Sequence, residues 1–205
     1  MKILVVHSSA NTATSTTREY TEKVVQKLKS KYQHSEVVVR DLIKNPIPHF
    51  DPLTLKAFFT KAEERSSELK EAIKFSEQVT DEFLAADVVV IGAPMYNFSI
   101  PAVFKGWIDY IVRVGRTFHY TATGPKGLVD AQKELLIVTA SGSVYHNSAA
   151  KDFDHQELYL RHIFGFLGIS KIDFIRVEGT AVGGDIVKKS REVAEEKLST
   201  IIARL

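Results

Sequence analysis

VVVIGAPMYNFSIPAVFKGWID, residues 88–109, reads as three pieces in series: an unbroken apolar run at Val88–Ile91, a kinked loop, and a helix. Four consecutive apolar, β-branched residues suit a strand that is buried on both faces. The loop after this run is unusual for a place where a buried strand meets water. Such a loop is ordinarily small and polar, yet this one carries Met95, Tyr96, Asn97 and Phe98 in a row. Exposed aromatic and amide groups at such a place imply something for them to contact.

On either side of this stretch, short β-branched runs recur at 3–6, 36–40, 135–139 and 172–177. Helical periods lie between them. Tyr20, Val24, Leu28 and Tyr32 recur every fourth residue, while Leu69, Ile73, Val79 and Phe83 share a face, as do Leu160, Ile163, Phe164 and Leu167. Val193, Leu198, Ile201, Ile202 and Leu205 mark the apolar side of a last helix, with Lys188, Lys189, Glu192, Glu195 and Glu196 on its wet side. Strand and helix alternate throughout, which argues for a doubly wound α/β sandwich: a five-stranded parallel sheet with helices on both faces. Two segments break the rhythm. DLIKNPIPHFDPLTL (41–55) holds three prolines and is expected to cross the surface before a long helical connection. RTFHYTATGPKGLV (116–129) is expected to be a long loop. Phe104, Trp107, Ile108 and Ile111 divide between core and an interface, with two of the four expected in the core.

Composition narrows the function classes. The chain has 205 residues, 44% hydrophobic and 25% charged, which suits one domain over 1–205. Its formal charge is +2, spread without single-sign blocks, so no nucleic-acid footprint stands out. There is no cysteine, which removes disulfides, thiolate metal sites and a thiol nucleophile. MKILVVHSS has too short an apolar run for a signal segment, and no run approaches a membrane span. A cytoplasmic enzyme-sized domain, with no membrane and no metal, is the expectation.

In a sheet of order 2-1-3-4-5, ligands sit beyond the strand C-termini between the first and third strands. The first of these loops, HSSANTATSTTRE (7–19), has seven Ser/Thr in thirteen residues and leads into a helix. Ser9, Ser15, Thr16 and Thr17 together with unpaired first-turn N–H groups can hold one phosphate. Ordinary helix capping is the competing reading, since Thr16 and Glu19 have capping-box spacing. No G-x-x-x-x-G-K-[ST] and no G-x-G-x-x-G comes after the strand, so neither a P-loop nor a dinucleotide clamp is present. One phosphate beside the flat, amphipathic groups of Pro94–Phe98 describes flavin mononucleotide (FMN).

The segments SS at 8–9, Ser15-Thr16-Thr17, VRDLIKNPIPHFD, APMYNFSIP, FKGWIDYIVRVGRTFHYT, GPKGLV, FLGI and EGTAVG resemble the FMN-dependent NAD(P)H azoreductases, also described as quinone reductases, over essentially the whole chain. The resemblance implies a flavodoxin-like three-layer fold and a homodimer with FMN in each interface cleft. It also implies reduction of quinones and reductive cleavage of azo compounds by NADH or NADPH, in a two-step ping-pong cycle. Carried over, Ser9 and Ser15–Thr17 match phosphate positions, and Pro94, Met95, Tyr96, Asn97 and Phe98 match the segment holding the flavin ring. A third family segment falls at Ala140, Ser141, Gly142 and Ser143, where the family's long side chain and second glycine are missing. Phe98 and Tyr120 match positions near the second substrate; His119, Tyr120 and His146 are candidate proton sources. A non-enzymatic flavodoxin-type carrier or a flavin-binding sensor is the alternative, and near-neutral charge weighs against a carrier that docks by charge.

Overall fold

The computed structural model describes residues 1–205. Its main sheet is built from β1 (Lys2–His7), β2 (Glu36–Asp41), β3 (Val88–Pro94), β6 (Glu134–Ala140) and β7 (Lys171–Val177), all parallel, in the spatial order β2-β1-β3-β6-β7. By position this is the 2-1-3-4-5 order expected from the sequence. β3, the strand of the opening segment, sits at the centre and all seven of its residues are buried.

Alternation within the apolar runs assigns residues to the two faces. Leu4, Val6, Val89, Ile91, Leu135 and Ile137 face one cluster, while Ile3, Val5, Val88, Val90, Leu136 and Val138 face the other. A strand with both faces covered needs no polar positions, which is why β3 and β6 read as unbroken. On the first face lie α3 (Ser67–Ala85), α4 (Ala102–Ile111) and α5 (His155–Phe166); on the second lie α1 (Thr16–Lys31) and α6 (Gly184–Arg204). The short α2 (Pro52–Phe59) begins at the third proline of the 41–55 segment, is capped by Asp51 and packs on α3. No helix is long and apolar enough to cross a membrane.

Four readings of the sequence change here. The 116–129 segment is not an open loop: β4 (Phe118–Thr121) and β5 (Gly124–Gly127) form an antiparallel hairpin. Its four-residue strands are too short to show a period, and the hairpin is anchored at single points, by Phe118 on Phe166 and by Gly127 lying flat on the Leu167–Gly168 backbone. Phe104, Trp107, Ile108 and Ile111 are all core, so none of the four is left for an interface. Helix α1 starts one residue earlier than the capping-box spacing implies: Ser15 is the N-cap and accepts from the Arg18 N–H, while Glu19 pairs with Lys23 and Arg191. Val193 lies on the exposed side of α6, so that helix is apolar over a narrower stripe than its sequence implies.

Phe83 joins the three helices of the first face, meeting Trp107 edge-on at 5.8 Å and Phe164 at 6.3 Å with no exposed surface. Phe83→Ala should therefore destabilise the fold by about 3–5 kcal/mol, as a fall in the urea midpoint at unchanged slope. A loss below about 1 kcal/mol would mean that these aromatic contacts do not hold the α3–α4–α5 layer together.

Candidate active site

Three loops leave the C-terminal edge of the sheet side by side because β1, β3 and β6 are adjacent and in register, His7 opposite Gly92 and Pro94 opposite Ala140. The first comes after β1. Ser8 is locked by its hydroxyl and N–H donating to the Gly92 carbonyl at 2.7 and 3.2 Å. Asn11 folds the loop by accepting from the Ala13 and Thr14 N–H groups. Ser15 Oγ lies 3.1 Å from Thr17 Oγ1. The N–H groups of Thr16 and Thr17 meet no protein acceptor. Free donors and clustered hydroxyls at the positive end of a sixteen-residue helix make an anion cradle. Capping by Ser15 and anion binding are therefore not rivals: the cap consumes one donor, that of Arg18, and leaves the others free.

Arg18 fixes this loop in space. Its guanidinium donates to both Asp41 oxygens, at 2.6 and 3.0 Å, and to the Ser9 carbonyl at 3.0 Å. Asp41 also accepts from the Ile43 and Lys44 N–H groups. The Arg18 hydrogen bond holds the Asp41 carboxyl well below the usual carboxylate range. Burial, reinforced by the Arg18 charge, lowers the neighbouring His7 imidazole as well.

The second loop answers the question raised by its sequence. Tyr96 and Ser99 exchange N–H···O bonds at 2.9 and 3.1 Å across a two-residue turn. Asn97 and Phe98 fill that turn with φ of +49° and +69°. Both central residues are thus left-handed, as in a type I′ turn that ordinarily takes Asn-Gly. A phenylalanine there costs of order 1 kcal/mol and holds its ring out into solvent, 47% exposed. The ring packs edge-on against Tyr145 at 6.3 Å and lies 5.8 Å from Phe153. The Tyr96 hydroxyl accepts from the Ala10 N–H, and the Met95 N–H donates to the Ala140 carbonyl. These two bonds tie the second loop to its neighbours on either side. From below, the buried Gln156 amide at the start of α5 donates to the Ala93 and Pro94 carbonyls at 3.1 Å each.

The third loop, Ser141–Ser143, is stitched to the turn after β7: Thr180 donates to the Ser141 carbonyl, Ala181 to that of Gly142, and Gly179 to that of Ser143. At Gly142 a Cβ would stand 3.3 Å from Ala181. Ala140 and Ser141 are largely covered, whereas Gly142 and Ser143 are exposed at the edge. His146 is exposed nearby, its N–H held with that of Tyr145 by the Glu178 carboxylate.

The structure thus brings Ser9, Ser15, Thr16, Thr17, Pro94–Phe98, Ala140–Ser143 and His146 to one edge. It does not bring His119 and Tyr120 there. Their hairpin packs at the C-terminal end of α5, while Gln156 at the other end of the same helix touches the second loop. Gln156 and Phe166 are ten residues apart along the helix, about 15 Å. Arg18, Asp41, Tyr145, Phe153, Gln156 and Glu178 escape sequence reasoning, since no local spacing connects Arg18 to a carboxylate 23 residues on.

Comparison with known proteins agrees with the fold. The family model described as flavodoxin-like fold matches residues 1–202. A relative in Pseudomonas fluorescens Pf-5, named FMN-dependent NADH:quinone oxidoreductase 2, is 41% identical over 200 residues, 98% of each chain. The chain belongs to this flavodoxin-like family of FMN-dependent NADH:quinone oxidoreductases. A family member from Herminiimonas arsenicoxydans is 44% identical over 189 residues, 92% of each chain. Among solved structures, the FMN-dependent NADH-azoreductase of Bacillus anthracis in complex with FMN superposes with a TM-score of 0.86 at 25% identity, covering 98% of this chain and 100% of that one.

The depressed Asp41 carboxyl gives a pH prediction. Its folded-state pKa lies below the unfolded value, so its contribution is complete above about pH 4 and is lost as pH falls through the folded value. Asp41→Asn should cost about 2 kcal/mol at pH 7, and the cost should shrink on acidification. Urea titrations of both proteins between about pH 3 and pH 7 measure it, and a pH-independent difference would assign the loss to something other than this ion pair.

Proposed function

We propose that this chain is an FMN-dependent NADH:quinone oxidoreductase that also cleaves azo compounds reductively, with FMN held across the three loops at the sheet edge. The observation that carries the assignment of the site is the pairing of two features far apart in sequence: free N–H groups of Thr16 and Thr17, and the left-handed Asn97-Phe98 turn, linked through the Ala10–Tyr96 hydrogen bond. A phosphate fits the first and a flat heterocycle edge fits the second. Ser9, Ser15, Thr16 and Thr17 would hold the phosphate. Met95, Tyr96, Asn97 and Phe98 would bound the ring on one side, and Ala140, Ser141, Gly142 and Ser143 would bound it on the other. Bound there, FMN supplies chemistry that none of these side chains possesses: acceptance of a hydride from NADH and its return to an acceptor.

The protein's own part is to hold and to exclude. Because Phe98, Tyr145 and Phe153 form a connected aromatic surface, the same face suits a planar quinone or azo arene after the nicotinamide leaves, which is the alternation a ping-pong cycle requires. His146, whose backbone N–H is held by Glu178 next to that of Tyr145, is the one of the three candidate proton sources that belongs to the strand-edge loops, and it would supply a proton to a reduced acceptor. Tyr120, 72% exposed, and its neighbour His119 stand too far away to serve the same edge. Their place in the site is explained if a second copy presents its hairpin there, so we read the enzyme as a homodimer with both subunits contributing to each cleft. The chain forms one domain over 1–205 and works in the cytoplasm on this reading. NADPH as an alternative donor stands on the family resemblance alone.

Anaerobic addition of NADH to the FMN-loaded protein should bleach the flavin within seconds, and benzoquinone should restore the colour. A yellow protein that NADH does not reduce would instead favour a carrier or sensor. For the shared site, Tyr120→Ala and Phe98→Ala proteins should each be impaired and should recover activity when subunits are exchanged between them. Failure to recover, with heterodimers demonstrated by mass, would place Tyr120 outside the cleft.

A further inference from the structure

The strand-edge loops do not account for a cavity of about 820 Å³ between the α2–α3 connection and the turn after α4. Its lining carries five cations, Lys61, Arg65, Lys70, Arg113 and Arg116, against two carboxylates, Glu63 and Glu77. The excess is built in. Arg113 is 2% exposed, lies 4.3 Å over the Phe58 ring, donates to Ser76 Oγ and reaches Glu77 at 3.1 Å. One carboxylate is sufficient to balance it. Arg65 and Arg116 nevertheless bond the same Glu77, so three guanidiniums share one carboxylate. Arg116 also reaches the exposed Asp81, and Arg65 uses its Nε on the Ala57 and Thr60 carbonyls at the end of α2. Lys70 has no ion-pair partner, and the buried Arg113 Nε has no hydrogen-bond partner. Burial lowers the Arg113 pKa against the opposing effect of Glu77, and the charges of Arg65 and Arg116 add to the lowering.

Clustered guanidiniums with donors to spare bind phosphate groups, because the planar fork matches two phosphate oxygens at once. The rim adds Phe59, 75% exposed, a free face for a heterocycle. The turn that carries Arg116 also carries the β4–β5 hairpin: the Gly115 N–H donates to the Phe118 carbonyl at 2.7 Å. Any approach that delivers Tyr120 to another copy's flavin loops therefore delivers Arg116 to the same neighbourhood. We propose that this cavity is a phosphate-anion site that takes the diphosphate of the nucleotide donor, held by one copy while the nicotinamide reaches the flavin loops of the other. The anion site stands on the cavity alone; its service to the donor rests on the dimeric reading given above. No Rossmann-type clamp exists elsewhere in the chain to do this work. The sequence conceals the site because its cations come from 61–70 and 113–116 and no phosphate motif joins them.

The test uses two substitutions on the rim, Lys70→Ala and Arg116→Ala, which leave the buried Arg113–Glu77 pair in place. ADP-ribose, which carries the diphosphate without a nicotinamide, is titrated by calorimetry into the FMN-loaded protein, whose strand-edge phosphate cradle is already filled, with inorganic phosphate as a second probe. With FMN bound, flavin reduction is followed with NADH and with 1-benzyl-1,4-dihydronicotinamide, a hydride donor that has no phosphate. The expected result is that ADP-ribose binds more tightly than phosphate and that each variant weakens it roughly tenfold. The KM for NADH should rise by a similar factor while that for the phosphate-free donor moves far less. An ADP-ribose affinity that the variants leave unchanged overturns the anion site. If phosphate binds as tightly as ADP-ribose, or if both donors respond alike, the site is not the donor's. Because ADP-ribose binding needs no turnover, it reads the cavity even if NADH fails to reduce the flavin.

Discussion

Everything at the sheet edge depends on how closely α1 lies against β3. Gly92 permits it: a Cβ there would stand 3.1 Å from Thr21 Cγ2 and 3.4 Å from the Thr17 carbonyl. With the first turn of the helix pressed against the central strand, its free N–H groups open toward the loop that continues that strand. Push α1 away by one methyl group, and the free first-turn N–H groups and the aromatic loop no longer face one another. The bonds from Ser8 to Gly92 and from Ala10 to Tyr96 fix the same relation from the loop side.

The molecule then divides its interactions by task. Apolar packing on both faces of the sheet supplies stability, and the strand ends carry little of it. The edge is instead held by discrete polar ties: Arg18 to Asp41 and Ser9, Gln156 to Ala93 and Pro94, Glu178 to Tyr145 and His146. Such ties set position without filling the space in front of the loops. They also balance the unfavourable conformation of Phe98, whose ring is kept in solvent by a left-handed backbone that a glycine would adopt without strain. A strained residue maintained by its surroundings at a strand end is the usual mark of a working site.

The range of each interaction decides how much of this is legible in the sequence. Strand order and the two-faced burial of β3 are legible because they depend on local periodicity, and the Ser/Thr loop is legible because helix N-termini have local chemistry. The hairpin at 118–127 is hidden because its strands are four residues each, too short to show a period. The burial of all of Phe104, Trp107, Ile108 and Ile111 is hidden because α4 is covered from several sides: by β3, by α3, and by the 41–55 crossing, where Ile47 lies against Gly106. The Arg18–Asp41 and Gln156–Pro94 ties join residues 23 and 62 apart, beyond any local pattern.

The central claim is that one ligand spans the helix N-terminus and the aromatic loop. Thr16 is the first helical residue after the Ser15 cap, a position where proline is tolerated and removes the N–H together with the threonine hydroxyl. Equilibrium binding of FMN and of riboflavin, which lacks the phosphate, to the native protein and to Thr16→Pro tests the claim directly. FMN should bind at least roughly a hundredfold more tightly than riboflavin, and the substitution should weaken FMN about tenfold while leaving riboflavin unchanged. Equal affinities for the two flavins, or an equal loss for both in the variant, would contradict the account.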